Sequence, residues 1–387
     1  MKIAKRVDKL GTEAVYNIFA NTKKLIKQGK QIIDLSLGQS DFKSPKHAVD
    51  AAIKALKDGH HGYTLPNGMI ECREAVSKKI NSLYSANVNP ERIVIMPGGK
   101  PTMSFAISFF GEPGAEIIYP DPGFPIYESM INFTGAKAIP YDMTENKNFS
   151  INPDKIFKLI NEKTRLLIIN NPHNPTGGFT EKSIIDKLAD GLKNFPNLVI
   201  LSDEVYDRLI FEKKEIPTLL NYPDLYERLI VLNGWSKTYA MTGWRLGWGV
   251  WPEKLLDHVF KFCVNNHSCV NTPAQYGAIA ALNGPESHLN NMLKEFSIRR
   301  KIIVEGLRSL KGVDCSFPGG SFFVFPNVKN TGMNGEEFTQ KCLKEAGVAM
   351  IPGTAFGKFA THNVRFNFAT SKENISKAIE KIDKILK

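Results

Sequence analysis

A chain of 387 residues, 42% hydrophobic and 23% charged, is of globular composition, with room for a large core in one large domain or two ordinary ones. No apolar run approaches the roughly 20 residues of a membrane span. The net charge of +11, from 50 Lys and Arg against 39 Asp and Glu, raises the question of nucleic acid, but there is no basic run of five or more, no helix-turn-helix preface and no zinc pattern. The positive charges are mostly lysines spread over helices (Lys23, Lys24, Lys27 and Lys30, for example), which reads as a solvated basic surface that mildly attracts anionic ligands. The N-terminus MKIAKRVDKLG is too polar for a signal peptide, so a cytoplasmic location is expected. Cys72, Cys263, Cys269, Cys315 and Cys342 are scattered and odd in number, the pattern of reduced thiols.

In chain order, Thr12 to Gln28 suits a helix with Val15, Ile18, Phe19, Leu25 and Ile26 on one face, ended by Gly29. Ile32 to Leu37 reads as a short strand stopped by Gly38. Ser44-Pro45 predicts a capped helix start, with the helix running to about Asp58. The segment GYTLPNGMIECREAV then carries Tyr63 in a loop. Seven apolar strand candidates follow, separated by helical spacers: Ile93–Met96, Glu116–Tyr119, Lys137–Ile139, Leu166–Asn170, Leu198–Ser202, Leu229–Leu232 and Leu246–Val250. That rhythm predicts a mainly parallel sheet covered on both faces. Polar residues sit just past the strand ends, where open α/β sheets bind ligands. Gly98-Gly99-Lys100-Pro101 opens a helix, whose first N–H groups suit a phosphate. Phe124 follows Pro122-Gly123, and the octet Asn170 to Gly177 (NNPHNPTG) follows a buried strand. Asp203 and Tyr206 close the next one.

The most informative stretch is SKTYAMTGWRL, Ser236 to Leu246, just after the apolar run Ile230-Val231-Leu232, which Asn233 and Gly234 are expected to break. A lysine is surface charge by default. Lys237, however, has a hydroxyl at Ser236, a phosphate-binding guanidinium at Arg245, and Trp235 and Trp244 to bury the segment. A lysine in such a pocket has a depressed pKa and becomes an amine nucleophile able to form Schiff bases. Further on, a long helical stretch near Leu289–Leu310 leads to an apolar strand at Ser321–Phe325. Ile351-Pro352-Gly353 and Val364–Phe368 follow, then a closing helix from Glu373. Arg365 lies inside the apolar run Val364-Arg365-Phe366, which is costly for a cation unless an anion pairs with it.

SKTYAMTGWRLG resembles the lysine signature of the class I/II aminotransferases, the fold-type I pyridoxal phosphate (PLP) enzymes. The segments around Tyr63, Phe124, Asn174 and Asp203 are similar to the family's in the same order, so the resemblance covers essentially the whole chain. Cys72, in place of a leucine, departs from it in packing only, and Pro101, in place of a glutamine, removes no N–H that the helix itself needs. The resemblance implies that Lys237 carries PLP covalently and moves the substrate proton. It implies that Ser236, Arg245 and the backbone of Gly99 and Lys100 hold the phosphate, and that Phe124 stacks on the ring. Asn174 and Tyr206 would bond the phenolic oxygen, and Asp203 would pair with the ring nitrogen. Arg365 would bind the substrate carboxylate, with Asn174 beside it. Gly38 would let the backbone approach that carboxylate, or is simply a turn glycine. Tyr63 would reach the phosphate of a partner subunit, implying a homodimer with shared sites.

The fold so implied is α/β. A large domain, residues 46–285, holds the mainly parallel seven-stranded sheet, and both termini, 1–45 and 286–387, build a smaller α+β domain. The implied activity is a ping-pong aminotransferase moving an amino group from an L-amino acid to a 2-oxo acid, with aspartate and 2-oxoglutarate as the favoured pair. Alternatives are a PLP-dependent β-eliminating C–S lyase, and an aminotransferase for aromatic or other amino acids. A PLP-sensing regulator would need a DNA-binding domain, for which the sequence has no pattern. No metal, nucleic acid or membrane is expected as a partner.

Overall fold

The computed structural model describes all residues except 12, 13, 145, 147, 213 and 214, and does not describe the side chains of 14, 15, 17 and 19. After a two-residue strand, β1 (Ile33–Asp34), come β2 (Ile93–Met96), β3 (Glu116–Asp121), β4 (Lys137–Asp142), β5 (Thr164–Asn170), β6 (Val199–Asp203), β7 (Leu229–Gly234) and β8 (Gly247–Val250). β2 to β8 form one seven-stranded sheet in the order β2-β8-β7-β6-β5-β3-β4. Pairings among β3, β4, β5, β6 and β7 are all parallel, whereas β8 runs against both β2 and β7. Alternate residues face opposite sides, as strand geometry requires. Ile93, Ile95, Ile118, Leu167 and Ile169 enter one apolar cluster. Val94, Met96, Ile117, Leu166 and Ile168 enter another on the opposite face. Both faces are covered, which accounts for the continuous apolar runs in the sequence.

The reversed strand shapes the molecule's chemistry. The carboxyl ends of β2, β3, β5, β6 and β7 gather at one edge of the sheet. Because β8 runs the other way, its amino end lies at that same edge, and the segment 236–246 is delivered there from both sides.

The remaining strands are β9 (Phe323–Val324), β10 (Val348–Ala349), β11 (Ile351–Pro352) and β12 (Val364–Asn367). β11, β12 and β9 make an antiparallel sheet, and β1 pairs parallel with β10. Helices Ser287–Ser309 and Lys372–Leu386 cover them through Phe296, Ile303, Leu307, Ile375 and Ile382.

Several local expectations change. Ile32–Leu37 keeps only two strand residues. The Ser36 carbonyl accepts from Arg365 Nη2 at 2.7 Å and the Leu37 carbonyl accepts from the Asn367 amide, so neither continues a ladder. Ser321–Phe325 likewise pairs only at Phe323–Val324, because the Ser321 N–H donates to the Leu209 carbonyl at 2.7 Å. Ser44 does not cap the helix Lys46–Lys57; Pro45 takes that position. The Ser44 hydroxyl instead donates to the Ala240 carbonyl and accepts from Trp244 Nε1, tying the helix start to the lysine segment. Asn233 and Gly234 do not break β7 but end it, paired with Trp248 and Gly247. A Cβ on Gly234 would come within 2.8 Å of Gly247 Cα, so this glycine serves a close strand approach. The first long helix is Ala14–Lys27. Thr12 and the side chains of Val15 and Phe19 lie outside the described residues. The five cysteines are free, all buried except the half-buried Cys269. Among the described residues no helix is long and apolar enough to cross a membrane.

Candidate active site

β7 ends at Gly234, and Trp235–Thr238 forms a single helical turn. The buried Trp235 indole anchors that turn by donating to the Ala278 carbonyl at 3.1 Å. Lys237 projects from it into the cleft, where Nζ donates to the Gly38 carbonyl at 2.5 Å. The rings of Tyr206 and Phe322 lie 5.8 and 5.5 Å away. Burial, then the positive charges of Arg365 and Arg245, lower the Lys237 pKa to about 8, against a partial opposing pull from Asp203. A substantial fraction of this amine is neutral near physiological pH, as a nucleophile or proton acceptor requires.

Asp203 closes β6. Its Oδ2 accepts from the Tyr127 hydroxyl at 2.6 Å and its Oδ1 from the Val205 N–H at 3.3 Å. Burial raises its pKa to about 6, while the Tyr127 and Val205 donors and the Lys237 charge pull it back. It is therefore a carboxylate at neutral pH, directed at the cleft. The octet after β5 is folded by its own side chains. Asn171 exchanges two hydrogen bonds with Thr180, and the buried His173 ring nitrogen Nδ1 lies 2.8 Å from Thr176 Oγ1. Burial holds His173 neutral, its pKa lowered to about 3. Asn170 Oδ1 accepts from the Asn174 N–H at 2.9 Å, and Asn170 Nδ2 donates to the Asp203 carbonyl at 2.9 Å. Asn174 and Asp203 are thereby held in one frame.

After β2, Gly99 precedes the helix Lys100–Phe110, with Pro101 in its first turn. Arg245 takes a left-handed backbone (φ 54°) just before β8, and its Nη1 donates to the Thr242 carbonyl at 2.9 Å. The guanidinium lies against Gly98: a Cβ there would meet Arg245 Nη2 at 2.3 Å. A cation and a helix N-terminus thus converge on one spot, the arrangement that binds phosphate. Gly247 brings the backbones equally close, since a Cβ on it would meet the Gly98 carbonyl carbon at 2.5 Å.

Arg365, on β12, is only 3% exposed. Its guanidinium lies between the Phe323 and Phe356 rings, at 4.3 and 4.6 Å. Nη1 donates to Asn174 Oδ1 at 2.9 Å and Nη2 to the Ser36 carbonyl. The rings pack against the guanidinium, and the two neutral oxygens orient it.

Gly38, Gly99, Lys100, Phe124, Asn174, Asp203, Tyr206, Ser236, Lys237, Arg245 and Arg365 line one cavity of about 610 Å³. Lys100 Nζ sits 5.4 Å from the Phe124 ring centroid. Tyr63 is not on that wall. Its ring is 92% exposed, on a loop held by Thr272 Oγ1 donating to the Gly62 carbonyl and by Gln275 Oε1 accepting from the Met69 N–H. Several contributors to the cavity were not assigned to it from the sequence, among them Tyr16, Phe323 and Phe356 on the wall, and Tyr127 beneath Asp203. Tyr127 alone left a signal, standing one helical turn after Phe124.

The cavity is of the size that takes a small cofactor and a substrate. It offers a partly neutral amine and an apolar ring wall. A buried carboxylate faces it, and a cation stands at a helix start. This donor set fits PLP, an aldehyde carrying a pyridine nitrogen and a phosphate. Such a cleft on such a sheet defines a PLP-dependent enzyme of the α/β type. The model of the aminotransferase class I and II family matches residues 30–382, and the chain belongs to that family. It is a PLP-dependent aminotransferase of fold type I. It is 36% identical to the aspartate aminotransferase of Pyrococcus horikoshii, over 99% of this chain and 97% of that protein. It is 34% identical to aromatic-amino-acid aminotransferase 2 of Thermococcus litoralis, over 92% of each. The crystal structure of the aspartate aminotransferase from Rhizobium meliloti superposes with a TM-score of 0.95 at 27% identity, covering 100% of this chain and 99% of that one.

The lowered Lys237 pKa gives a pH prediction. The unfolded value is near 10.4, so between about pH 8 and pH 10 the unfolded chain binds more protons. This group's contribution to stability therefore rises with pH across that window and is absent below it. In cofactor-free protein, acylation of Lys237, mapped by mass spectrometry, should be half-maximal near pH 8. Arg365→Met should move that midpoint upward, because it removes the largest charge effect on the amine. An unmoved midpoint contradicts the electrostatic account.

Proposed function

We propose that the enzyme transfers the amino group of an L-amino acid to a 2-oxo acid by a ping-pong cycle, with aspartate and 2-oxoglutarate as the favoured pair. The observation that carries this reading is the buried, ring-sandwiched Arg365, a carboxylate receptor within the same cavity as Lys237. The aspartate preference is supported by relatives such as the Pyrococcus horikoshii enzyme. A preference for aromatic amino acids is the second reading, favoured by the ring-rich wall of Tyr16, Phe124 and Phe356 and by the Thermococcus litoralis relative.

In this proposal Ser236, Arg245 and the backbone N–H groups of Gly99 and Lys100 hold the phosphate, and Phe124 lies on the ring. Asn174 and Tyr206 donate to the phenolic oxygen. Asp203 keeps the ring nitrogen protonated, because a carboxylate beside it favours the cation. Bound PLP supplies an aldehyde that receives the amino group and a ring that stores the electron pair released at Cα. Arg365 takes the substrate carboxylate in a bidentate grip and, with the Gly38 backbone nearby, sets the Cα–H bond toward Lys237. Lys237 Nζ would then take the Cα proton and return it across the amino nitrogen, to the carbon that the cofactor supplies.

The division into residues 46–285 and 1–45 with 286–387 belongs to the same proposal. It is supported by the seven-stranded sheet lying wholly in the first part and the two small sheets in the second. The enzyme is proposed to work as a cytoplasmic homodimer. Free cysteines suit a reducing compartment, which cell fractionation checks. A dimer is supported by Tyr63, which stands exposed on a hydrogen-bonded loop near the exposed Leu56 and Leu65.

A panel of amino donors with 2-oxoglutarate, with each 2-oxo product measured, should give the highest kcat/KM for aspartate; a higher value for phenylalanine or tyrosine establishes the second reading. If Tyr63 completes the partner's site, Tyr63→Phe and Lys237→Ala damage opposite subunits' contributions to one site. Mixed dimers of the two variants should then regain one intact site in two. A fully active monomer at high dilution rules the shared site out.

A further inference from the structure

The Asp121 carboxylate at the end of β3 is 1% exposed and accepts two backbone N–H groups, from Lys358 at 3.1 Å and Phe359 at 3.2 Å. Gly123 adds a third bond, its N–H donating to the Phe356 carbonyl at 2.8 Å. Gly357, between these contacts, has φ +149°, and a Cβ on it would fall 2.0 Å from Asp121 Oδ1. The close approach is therefore built for glycine on one side and a short carboxylate on the other. Burial raises the Asp121 pKa, and the two N–H donors counter it by stabilising the ionised form.

The clamp joins two parts of the cavity wall that come from different sheets. On one side the turn Asp121–Gly123 leads directly into Phe124. On the other, the clamped segment carries Phe356, whose ring covers one face of the Arg365 guanidinium at 4.6 Å. The Phe323 ring also packs against it, at 4.3 Å. If Phe356 moves, Arg365 loses one of the two rings that pack against it, and the guanidinium plane sets how a carboxylate is gripped.

We propose that Asp121 is a positioning residue for substrate binding. By stapling residues 356–359 to the end of β3 it fixes Phe356 over Arg365, and so sets the orientation of the carboxylate receptor relative to the ring-facing Phe124. This rests on Arg365 being that receptor.

The test uses the PLP-loaded enzyme carrying Asp121→Asn and, separately, Gly357→Ala, which displaces the carboxylate without removing it. Each variant is compared with the natural enzyme in three measurements: circular dichroism, single-turnover amino transfer from an L-amino acid and from the corresponding amine lacking the carboxylate, and calorimetric binding of a simple monocarboxylate. Both variants should lose on the order of tenfold or more in kcat/KM for the amino acid, in keeping with the cost of a misplaced reacting group. Monocarboxylate affinity should weaken with it, while the amine reaction changes less than about twofold, the scatter expected without loss of orientation. Equal losses on amino acid and amine, or unchanged monocarboxylate binding in a folded variant, overturn the proposal. Arg365→Lys is run in parallel. If it fails to separate amino acid from amine, the receptor reading itself falls; if it separates them and neither clamp variant does, only the role of Asp121 falls. Should one variant not fold, the other decides.

Discussion

The Lys237 amine stands where burial and two arginines all work against its positive charge. That constraint organises the cleft. An amine that resists protonation is reactive toward an aldehyde, but only if the fold pays for the cations that keep it so. Arg245 and Arg365 are held by different means. Arg245 rests on the Thr242 carbonyl and the bare Gly98 backbone, and Arg365 is fixed by two rings and by the neutral oxygens of Asn174 and Ser36. Two anions, a cofactor phosphate and a substrate carboxylate, are the natural complements of such a site. Their arrival would relieve the repulsion that lowers the lysine pKa.

The sheet makes this arrangement possible. The six parallel strands end at one edge and deliver helix starts, Asn174, Asp203 and Lys237 there. The reversed β8 begins at that edge, so the chain can leave Lys237, turn through Ala240 and Trp244, and place Arg245 within reach of Gly98 before running back into the sheet. Asp203 is kept ionised in a buried position by Tyr127 and the Val205 N–H, and it is tied through its carbonyl to the asparagine loop. The negative floor and the positive rim are thus parts of one hydrogen-bonded frame.

Much of this was legible in the sequence, for physical reasons. The central strands of the large sheet announced themselves because both faces are covered, so β2, β6 and β7 are largely apolar, while the edge strand β4, with its exposed Lys137, carried a weaker signal. The groups at their ends were legible because polar residues directly after such runs have few other reasons to be there. Strand direction was not legible: nothing in Leu246–Val250 distinguishes a reversed strand from a parallel one. Tertiary bonds also overrode local preference. Ser44 has the chemistry of a helix cap but spends its hydroxyl on Ala240 and Trp244, and Ile32–Leu37 looks like a strand but turns its carbonyls to Arg365 and Asn367. The two rings around Arg365 come from distant positions, and only the fold brings them together. Tyr63 shows the opposite limit, since its exposed ring in the single chain acquires meaning only if a second subunit is present.

The account stands or falls on which amine holds the cofactor. Borohydride reduction of the PLP-loaded enzyme, followed by proteolysis and mass spectrometry, locates that amine directly. The expected result is a single pyridoxyl-phosphate adduct on Lys237, with Lys237→Ala retaining no stoichiometric adduct. A stoichiometric adduct on another lysine of the active natural enzyme, with Lys237 unmodified, would contradict the central claim.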